Sequence, residues 1–497
     1  MTTTAVETLI IGAGFGGIAA ARALQQAGHE EFLVLDAQDE IGGVWRSNRY
    51  PGCASDMPGV LFGYRDQPLS PLTMAGAART EVLDYLEHIV RTFGLGPRIR
   101  CGVKIDRIEW QQGSRDWAAF AADGSRITAR FVIVATGTSG GIRWPDVPGL
   151  DAFDGKIVHT AAWPETLDFD GLDVVLIGTG ASAIQVAPQL AARCRTLSIL
   201  QRSPRWILPR PPELPKLVRK GLASLLGRKL AGNLLEAFVD FNARALIGGN
   251  AARLKRMDRR YRAIMQREAA GVATHASLLP SAPFGCSRTL FSNAYFETLR
   301  SPHVSLGNAP TRIAKDHVVD AAGTRHPADL IVMATGHNRF ERVLPIIGPA
   351  GINLYDQWKA RPEALLGVLA SDMPNFIHFS GPNSGVLNSA PRTLQAQAHF
   401  ATRLISETAG RGDAASFRAT TAQVAEFSAR LTPKLDRTIW AGDHCDSWYT
   451  SASASNPIIW PGTLAAYRRA IRNFDVKTLI EVHRPEPGAG GEFHTAA

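Results

Sequence analysis

The sequence lacks the cysteine pattern of a disulfide-rich or zinc-binding protein. Its 497 residues include five cysteines, Cys53, Cys101, Cys194, Cys286 and Cys445, and no two of them form a C-x-x-C pair. An odd number of widely spaced cysteines argues against a disulfide framework and against a structural zinc site. We therefore expect reduced thiols and no bound metal.

Targeting and membrane-spanning features are also missing. The N-terminus has no basic leader followed by an apolar run, and no unbroken apolar stretch approaches the length that crosses a bilayer. The composition, with 45% hydrophobic residues, is that of a globular chain long enough for two or three domains. We expect a cytoplasmic protein without a transmembrane segment.

No nucleic-acid-binding motif accompanies the net charge of +9. The excess has one origin, because the segment from Arg202 to Arg288 holds 17 basic and 5 acidic residues. Much of this segment has the pattern of amphipathic helix with basic faces. Solvated helix faces are its simplest explanation, and weak contact with a membrane surface or another anionic partner is the alternative.

A glycine-rich turn near the N-terminus has the spacing of a dinucleotide-binding site. Gly12, Gly14 and Gly17 follow a short apolar run and precede an alanine-rich helical pattern, as G-x-G-x-x-G does between strand and helix. Such a turn lets a pyrophosphate approach free N–H groups at the helix start. The next apolar run ends at Asp36, whose carboxylate suits an unphosphorylated ribose. This pattern predicts an FAD site.

The chain repeats the motif with a change of charge. Gly178, Gly180 and Ala183 form the second turn, and the following apolar run leads to Arg202. Arg202 follows the first glycine by 24 residues, the same offset as that of the aspartate in the first motif, so we expect equivalent strand ends. A guanidinium at this position suits a 2'-phosphate. The second motif therefore predicts an NADPH site.

Strand-then-glycine segments at 131–137 and 329–336 end the two nucleotide-binding halves. Together with the turns, they predict an α/β fold of two nested Rossmann-type domains with a helical insertion. A disulfide reductase of this architecture is excluded, because it needs a redox cysteine pair after the first turn. The predicted segments are FAD-binding at 1–149 and 339–497, NADP-binding at 150–209 and 286–338, and the helical insertion at 210–285.

The segment between the two halves carries bulky residues at wide intervals. Phe153, Gly155, His159, Trp163 and Pro164 match F-x-G-x-x-x-H-x-x-x-W-P at every position. This pattern resembles the fingerprint of the Baeyer-Villiger monooxygenases. The resemblance implies FAD and NADPH as cofactors, and conversion of a ketone by O2 to an ester or lactone through a C4a-peroxyflavin. It also places His159 and Trp163 among the cofactor-binding residues, as anchors of a segment that couples nucleotide binding to domain orientation.

Two further segments extend the resemblance. Residues 42–58 resemble the flavin-facing segment of the family, which implies cofactor contacts for Val44 and Trp45 and a catalytic role for Asp56. The segment that resembles the one with the catalytic arginine places that role on Arg288. Arginine stays charged in a poorly solvated cleft and would keep the peroxide deprotonated. Asp56 would pair with its guanidinium and hold it in register.

The C-terminal region resembles the family's nicotinamide nucleotide contact through Trp448. Three features depart from the family pattern, and one of them is the loop at 450–455 after Trp448, which lacks the glycines that many relatives have there. Ser287 stands where a lysine usually precedes the catalytic arginine, which predicts weaker selectivity for NADPH over NADH. His337 stands where phenylalanine is common.

Two alternatives share the glycine motifs. A flavin monooxygenase that oxygenates nitrogen or sulfur would have no need of the catalytic arginine. A flavin-binding sensor or an inefficient NADPH oxidase would consume NADPH without oxygenating a substrate.

Overall fold

The computed structural model describes residues 3–69, 76–138, 140–210, 216–272, 275–338, 344–441, 445 and 458–483. The strands, in chain order, are β1 (Thr3–Ile11), β2 (Phe32–Leu35), β3 (Ala54–Pro58), β4 (Gly76–Ala78), β5 (Ile99–Arg100), β6 (Ile105–Gln111), β7 (Asp116–Ala121), β8 (Arg126–Val134), β9 (Lys156–His159), β10 (Asp173–Ile177), β11 (Thr196–Leu200), β12 (Ile207–Leu208), β13 (Leu290–Phe291), β14 (Val304–Gly307), β15 (Pro310–Ile313), β16 (His317–Asp320), β17 (Arg325–Pro327), β18 (Leu330–Met333), β19 (Ile346–Ile347), β20 (Phe376–His378), β21 (Ala415–Phe417) and β22 (Ile480–Val482). The α-helices are α1 (Phe15–Gln26), α2 (Val44–Ser47), α3 (Arg79–Thr92), α4 (Ala181–Ala191), α5 (Lys216–Ile247), α6 (Ala251–Glu268), α7 (Tyr295–Arg300), α8 (Leu354–Ala360), α9 (Ala390–Ala409), α10 (Thr421–Leu435) and α11 (Leu464–Asn473).

The larger sheet is built around the first glycine turn. Among the described residues its strands follow the order β19-β6-β7-β8-β1-β2-β5, and β20 pairs with the end of β8. The apolar run at the end of β1 is buried on both sides of the sheet. Ile10 packs in the cluster that contains α1 and α9, whereas Leu9 and Ile11 pack in the cluster on the other face. A central parallel strand covered on both faces needs such a continuous apolar run.

The smaller sheet is built around the second glycine turn. Its described strands follow the order β14-β11-β10-β18-β9, and all four pairings are parallel. The edge strand β9 is Lys156–His159, so the fingerprint segment is part of this sheet and not a simple connector.

The two sheets repeat the same local geometry. Gly12 donates its N–H to the Leu35 carbonyl at 2.7 Å, and Gly178 donates to the Leu200 carbonyl at 2.9 Å. Both glycines have positive φ, +107° and +117°, and a Cβ on either would lie within 2.6 Å of a backbone carbonyl oxygen. The smaller sheet falls, in sequence, between β8 and β19 of the larger one. These observations confirm the predicted α/β fold with two nested Rossmann-type units, while the segment boundaries themselves stay a prediction.

The region from 216 to 268 forms the long helices α5 and α6, as expected for the helical insertion. The inner face of α5 carries two buried acids. Glu236 accepts hydrogen bonds from Arg392 at 2.6 Å and from Arg468 at 2.5 Å, and Asp240 accepts from the backbone N–H of Ala465 at 3.0 Å. These bonds tie the insertion to α9 and α11. No helix within the described ranges combines the length and hydropathy needed to cross a bilayer.

The expectation of reduced thiols is wrong for two of the five cysteines. Cys286 and Cys445 form a disulfide, with Cα atoms 5.1 Å apart, although 159 residues separate them. Both lie in an apolar cluster with Trp440, whose indole N–H donates to the carbonyl of Gly285 at 3.0 Å. Spacing along the chain could not reveal a contact that only the packing of distant segments creates.

Candidate active site

The first glycine turn has the features that an FAD pyrophosphate and ribose require. Gly14 is the N-terminal cap of α1, and no side chain caps the helix start. Gly43 faces it so closely that a Cβ there would lie 3.1 Å from the Cα of Gly14. Asp36, directly after β2, is buried and accepts the N–H of Ala13 at 2.6 Å. The free N–H groups, the bare glycine surface and the carboxylate fit the expected cofactor.

The second glycine turn is built in the same way but is more open. Gly180 caps α4 without a side-chain hydrogen bond, and a Cβ on it would meet no heavy atom within 4 Å. The third motif positions are packed: Ala183 is fully buried, and Gly17 leaves no room for a side chain against Gly12. The geometry fits a second nucleotide.

The expected equivalence of Asp36 and Arg202 is wrong by one residue. Ile11 pairs with Leu35 in the larger sheet, and Ile177 pairs with Leu200 in the smaller one. The residue directly after the strand is therefore Gln201, whose backbone N–H donates to Gly307 at 3.2 Å. The connection from α4 to β11 is one residue shorter than that from α1 to β2. Arg202 consequently lies one residue beyond the strand end, where it is exposed.

The flavin-facing residues begin directly after Gly43. Val44 opens the short helix α2 and is 43% exposed. Trp45 packs perpendicular to Phe62, with ring centroids 5.2 Å apart, and contacts the apolar clusters of both units. The indole therefore lies where the two cores meet.

The two predicted catalytic residues lie together. A guanidinium nitrogen of Arg288 is 3.2 Å from Oδ2 of Asp56. The side chain of Asp56 is only 6% exposed, whereas that of Arg288 is 57% exposed. Asp56 is on β3, and Arg288 lies just before β13 beyond the insertion. A buried carboxylate thus fixes one side of a cation whose other side is open to a ligand.

His159 ends the edge strand β9 and is buried. Its Nδ1 accepts the N–H of Ala161 at 3.1 Å, so Nε2 carries the proton and donates to the Thr335 hydroxyl oxygen at 3.3 Å. Burial, with a smaller effect from the nearby His337 ring, lowers the pKa of His159 from 6.5 to about 4. The imidazole is neutral and acts as a hydrogen-bonding anchor. Thr335 was missed by sequence analysis, although it belongs to the second A-T-G segment.

The fingerprint tryptophan lies on a cleft shared by the two units. Trp163 is buried, packs edge to face with Phe169, and lines a cleft of about 520 Å³ together with Arg46 and Arg79 of the first unit. Glu165 forms an ion pair with Arg49 across this cleft. The fingerprint segment therefore touches both halves.

Trp448 lies outside the described residues. Among those described, no group of three or more His, Cys, Asp or Glu side chains could hold a metal ion.

The nested sheets and paired glycine turns define a two-dinucleotide flavoprotein. Residues 9–212 match the pyridine nucleotide-disulphide oxidoreductase family. The chain is 33% identical to a Baeyer-Villiger monooxygenase of Streptomyces coelicolor, over 98% of this chain and 94% of that protein. It is 28% identical to an FAD-binding monooxygenase of Aspergillus niger, over 94% of this chain and 80% of that protein. The chain belongs to the Baeyer-Villiger monooxygenases.

Solved structures agree with this assignment. The closed crystal structure of cyclohexanone monooxygenase matches 97% of this chain and 100% of its own, with a TM-score of 0.84 and 25% identity. The enzyme from Rhodococcus sp. Phi1, bound to NADP+, has the same TM-score and coverage at 24% identity. Together with the relatives, these matches confirm the predicted fold and the predicted flavin-dependent oxidoreductase with FAD and NADP as cofactors.

The depressed pKa of His159 predicts a pH-dependent loss of stability. In the unfolded state His159 is protonated below about pH 6.5, whereas in the native state it is protonated only below about pH 4. The free energy of unfolding is therefore highest above pH 6.5 and falls as the pH drops toward 4. We expect this histidine alone to account for a loss of about 2 kcal/mol of unfolding free energy between pH 7 and pH 5. Urea unfolding of the wild type and His159→Gln at both pH values measures it.

The exposed His88 supplies the control, as His88→Gln should retain the wild-type pH dependence. An equal pH dependence in His159→Gln would show that the native state does not exclude the proton.

Proposed function

We propose that this family member catalyses the reaction of a ketone, O2, NADPH and a proton to give an ester or lactone, water and NADP+. When bound, FAD supplies the oxygen chemistry and NADPH supplies the hydride. The chain's own share is to bind the nucleotides, place the ketone and hold a permanent positive charge at the reacting carbonyl. The observation that carries this proposal is the pairing of a buried Asp56 with a half-exposed Arg288 in a chain that has two nucleotide-type turns.

Arg288 has the properties that the reaction needs. Negative charge develops on oxygen as the new bond to the carbonyl carbon forms, and a preorganised cation stabilises such charge. A guanidinium keeps its charge where an ammonium would lose it by burial. Because Asp56 is buried and holds one edge of the group, the opposite edge is presented without a large entropic cost.

Arg202 and the second turn are proposed to select the nucleotide. The exposed Arg202 guanidinium follows β11. Because β10 and β11 are parallel, it lies at the same end of the smaller sheet as the Gly178 turn. A 2'-phosphate would accept a charge-assisted pair of hydrogen bonds from it. Ser287 supplies no second cation there.

The outer face of α5 supports a second proposal, weak contact with an anionic membrane surface. In the part of α5 whose side chains the structure describes, two acidic side chains are buried and four large apolar side chains are exposed. Leu230, Leu234, Phe238 and Phe241 are between 48% and 63% exposed. Their spacing places them on one stripe.

The neighbouring helix supplies the charge for such a contact. The Arg253 guanidinium lies 4.6 Å from the Phe241 ring, which joins the stripe to α6. The exposed charged side chains of α6 are basic: Lys255, Arg256, Arg259, Arg260 and Arg267. An apolar stripe bordered by cations is typical of helices that lie on anionic lipid surfaces. We also propose that the protein is located in the cytoplasm, as the sequence predicts.

Replacing the catalytic cation separates the two half-reactions. We expect Arg288→Ala to lose at least about 100-fold in ester formation, since one charge-stabilising group is removed, with flavin reduction by NADPH largely retained. Product analysis with a panel of cyclic ketones and an amine, alongside stopped-flow reduction, measures both. Arg267→Ala is the control for lost surface charge. Equal loss of both half-reactions, or an amine oxide as the main wild-type product, would contradict the assignment.

Nucleotide selectivity tests Arg202. Loss of one charge-assisted contact is worth about 1.5 to 3 kcal/mol, so Arg202→Ala should raise the KM for NADPH about 10- to 100-fold. The KM for NADH should change little. Steady-state kinetics with both nucleotides, and with Arg259→Ala as the charge control, decide it. An unchanged NADPH to NADH preference would remove Arg202 from the phosphate site.

Sedimentation with lipid vesicles tests the surface. The protein should pellet with phosphatidylcholine vesicles that contain phosphatidylserine, and added salt or the double variant Phe238→Ser/Phe241→Ser should reduce the bound fraction. Val482→Ser, at an exposed apolar residue of β22, is the control. Recovery of the protein in the supernatant, with and without phosphatidylserine in the vesicles, would contradict the membrane contact. Concentration-dependent self-association that is lost in the double variant would instead assign the stripe to contact with a second copy of the chain.

A further inference from the structure

A glutamine that the sequence analysis does not single out connects the two nucleotide-binding units. Gln185 lies on α4, the helix that begins at the second glycine turn. It lies five positions after Gly180, a rise of about 7.5 Å along the helix axis. Its side-chain amide contacts the segment 50–56 of the first unit, which runs into the start of β3.

Both ends of the Gln185 amide form hydrogen bonds with this segment. Its Oε1 accepts the hydroxyl proton of Tyr50 at 2.8 Å and the N–H of Ala54 at 3.4 Å. Its Nε2 donates to the carbonyl of Ala54 at 3.0 Å and to Oδ1 of Asp56 at 3.3 Å. The amide orientation is therefore fixed, since exchange of its oxygen and nitrogen would oppose donor to donor.

The backbones also meet at this point. A Cβ on Gly52 would lie 2.5 Å from the carbonyl oxygen of Gln185, so only glycine permits this approach of loop and helix. Because the α4 backbone contacts the loop this closely, a displacement of the helix would also displace the loop. A shift of α4 on nucleotide binding would move the amide that holds Asp56.

The carboxylate of Asp56 divides its two oxygens between two partners. Oδ1 receives the Gln185 amide, and Oδ2 faces the guanidinium of Arg288 at 3.2 Å. The side chain is almost fully buried, so its orientation depends on these protein contacts and not on water. The contacts form a continuous chain from α4 through Gln185 and Asp56 to Arg288.

We propose that Gln185 is a positioning residue that links the NADP-binding helix to the catalytic cation by holding Asp56 toward Arg288. The inference rests on the proposed function for the consequence in catalysis, but the link itself is a property of the fold. The Gln185 amide forms its hydrogen bonds with residues 50–56 of the first unit and not with the nucleotide turn. Its loss should therefore affect oxygen insertion more than nucleotide affinity.

The first test compares Gln185→Leu with Gln189→Leu. Gln189 lies one turn further along the same helix and reaches the same glycine, with Cγ 3.3 Å from a Cβ built on Gly52, but is exposed. Loss of a hydrogen bond to a charged group predicts a drop of about tenfold in ester formed per NADPH consumed for Gln185→Leu alone. The Kd for NADP+, measured by calorimetry, should stay within about twofold of wild type in both, because neither side chain faces the turn.

A second readout needs no turnover. In the FAD-loaded enzyme, phenylglyoxal modification of Arg288, followed by mass spectrometry of its peptide, should be faster in Gln185→Leu and approach the rate of Asp56→Asn. Arg267 in the same sample is the internal control. If the wild type oxygenates no ketone, the proposed function fails, whereas these rates still decide the link.

The variant Gln185→Glu tests the positioning role by pH alone, because one protein can be studied with the introduced carboxyl neutral and with it ionised. A neutral carboxyl can donate to Asp56 as the amide does, whereas an ionised one repels it, so the like charge raises the pKa of the introduced group. The titratable groups facing this position are Tyr50, Cys53, Asp56 and, through Asp56, Arg288. Burial raises the pKa of Tyr50 and of Cys53.

We expect the ester yield per NADPH in Gln185→Glu to approach wild type at low pH and to fall as the pH rises, with a new ionisation absent from wild type and Gln185→Leu. This comparison also holds if Gln185→Leu does not fold. Wild-type coupling and wild-type Arg288 modification in Gln185→Leu, or a pH profile of Gln185→Glu without the added ionisation, would overturn the proposal.

Discussion

The ion pair between Asp56 and Arg288 is the interaction on which the site depends. A buried carboxylate on β3 holds a guanidinium that is more than half exposed. Asp56 precedes the smaller unit in the chain, whereas Arg288 lies within the sequence of that unit, beyond the helical insertion. The pair can form only when the segment at 50–56, helix α4 and the segment before β13 are packed together. Correct folding of three distant segments is thus the condition for placing one charge.

The two nucleotide turns show how one backbone device serves two ligands. The glycine geometry, the strand register and the helix start are nearly the same in both sheets. The difference lies in side chains just after the second strand, where Asp36 is buried against its own turn and Arg202 is exposed one residue later. A carboxylate close to the backbone suits a ribose diol, and a long cation further out suits a phosphate.

Local patterns in the sequence predicted the turns, the nested units and the fingerprint segment, because each depends on residues near one another in the chain. The register at Arg202 was wrong by one residue, since a shorter connection before β11 changes the offset without changing the motif. The Cys286–Cys445 disulfide and the Gln185 contacts could not be predicted, since they arise where segments more than 100 residues apart meet. The Asp56–Arg288 pair also joins residues more than 100 positions apart in the chain. It could be predicted because the resemblance to a family assigned a role to both residues.

A crystal structure of the enzyme with FAD and NADP+ bound would show where the Arg288 guanidinium lies relative to the flavin. We predict that the Arg288 guanidinium stays within ion-pair distance of Asp56 and lies within hydrogen-bonding distance of the isoalloxazine or the nicotinamide portion of the nucleotide. An Arg288 side chain that is paired with another carboxylate, with both nucleotides in place and the guanidinium remote from the flavin, would contradict it.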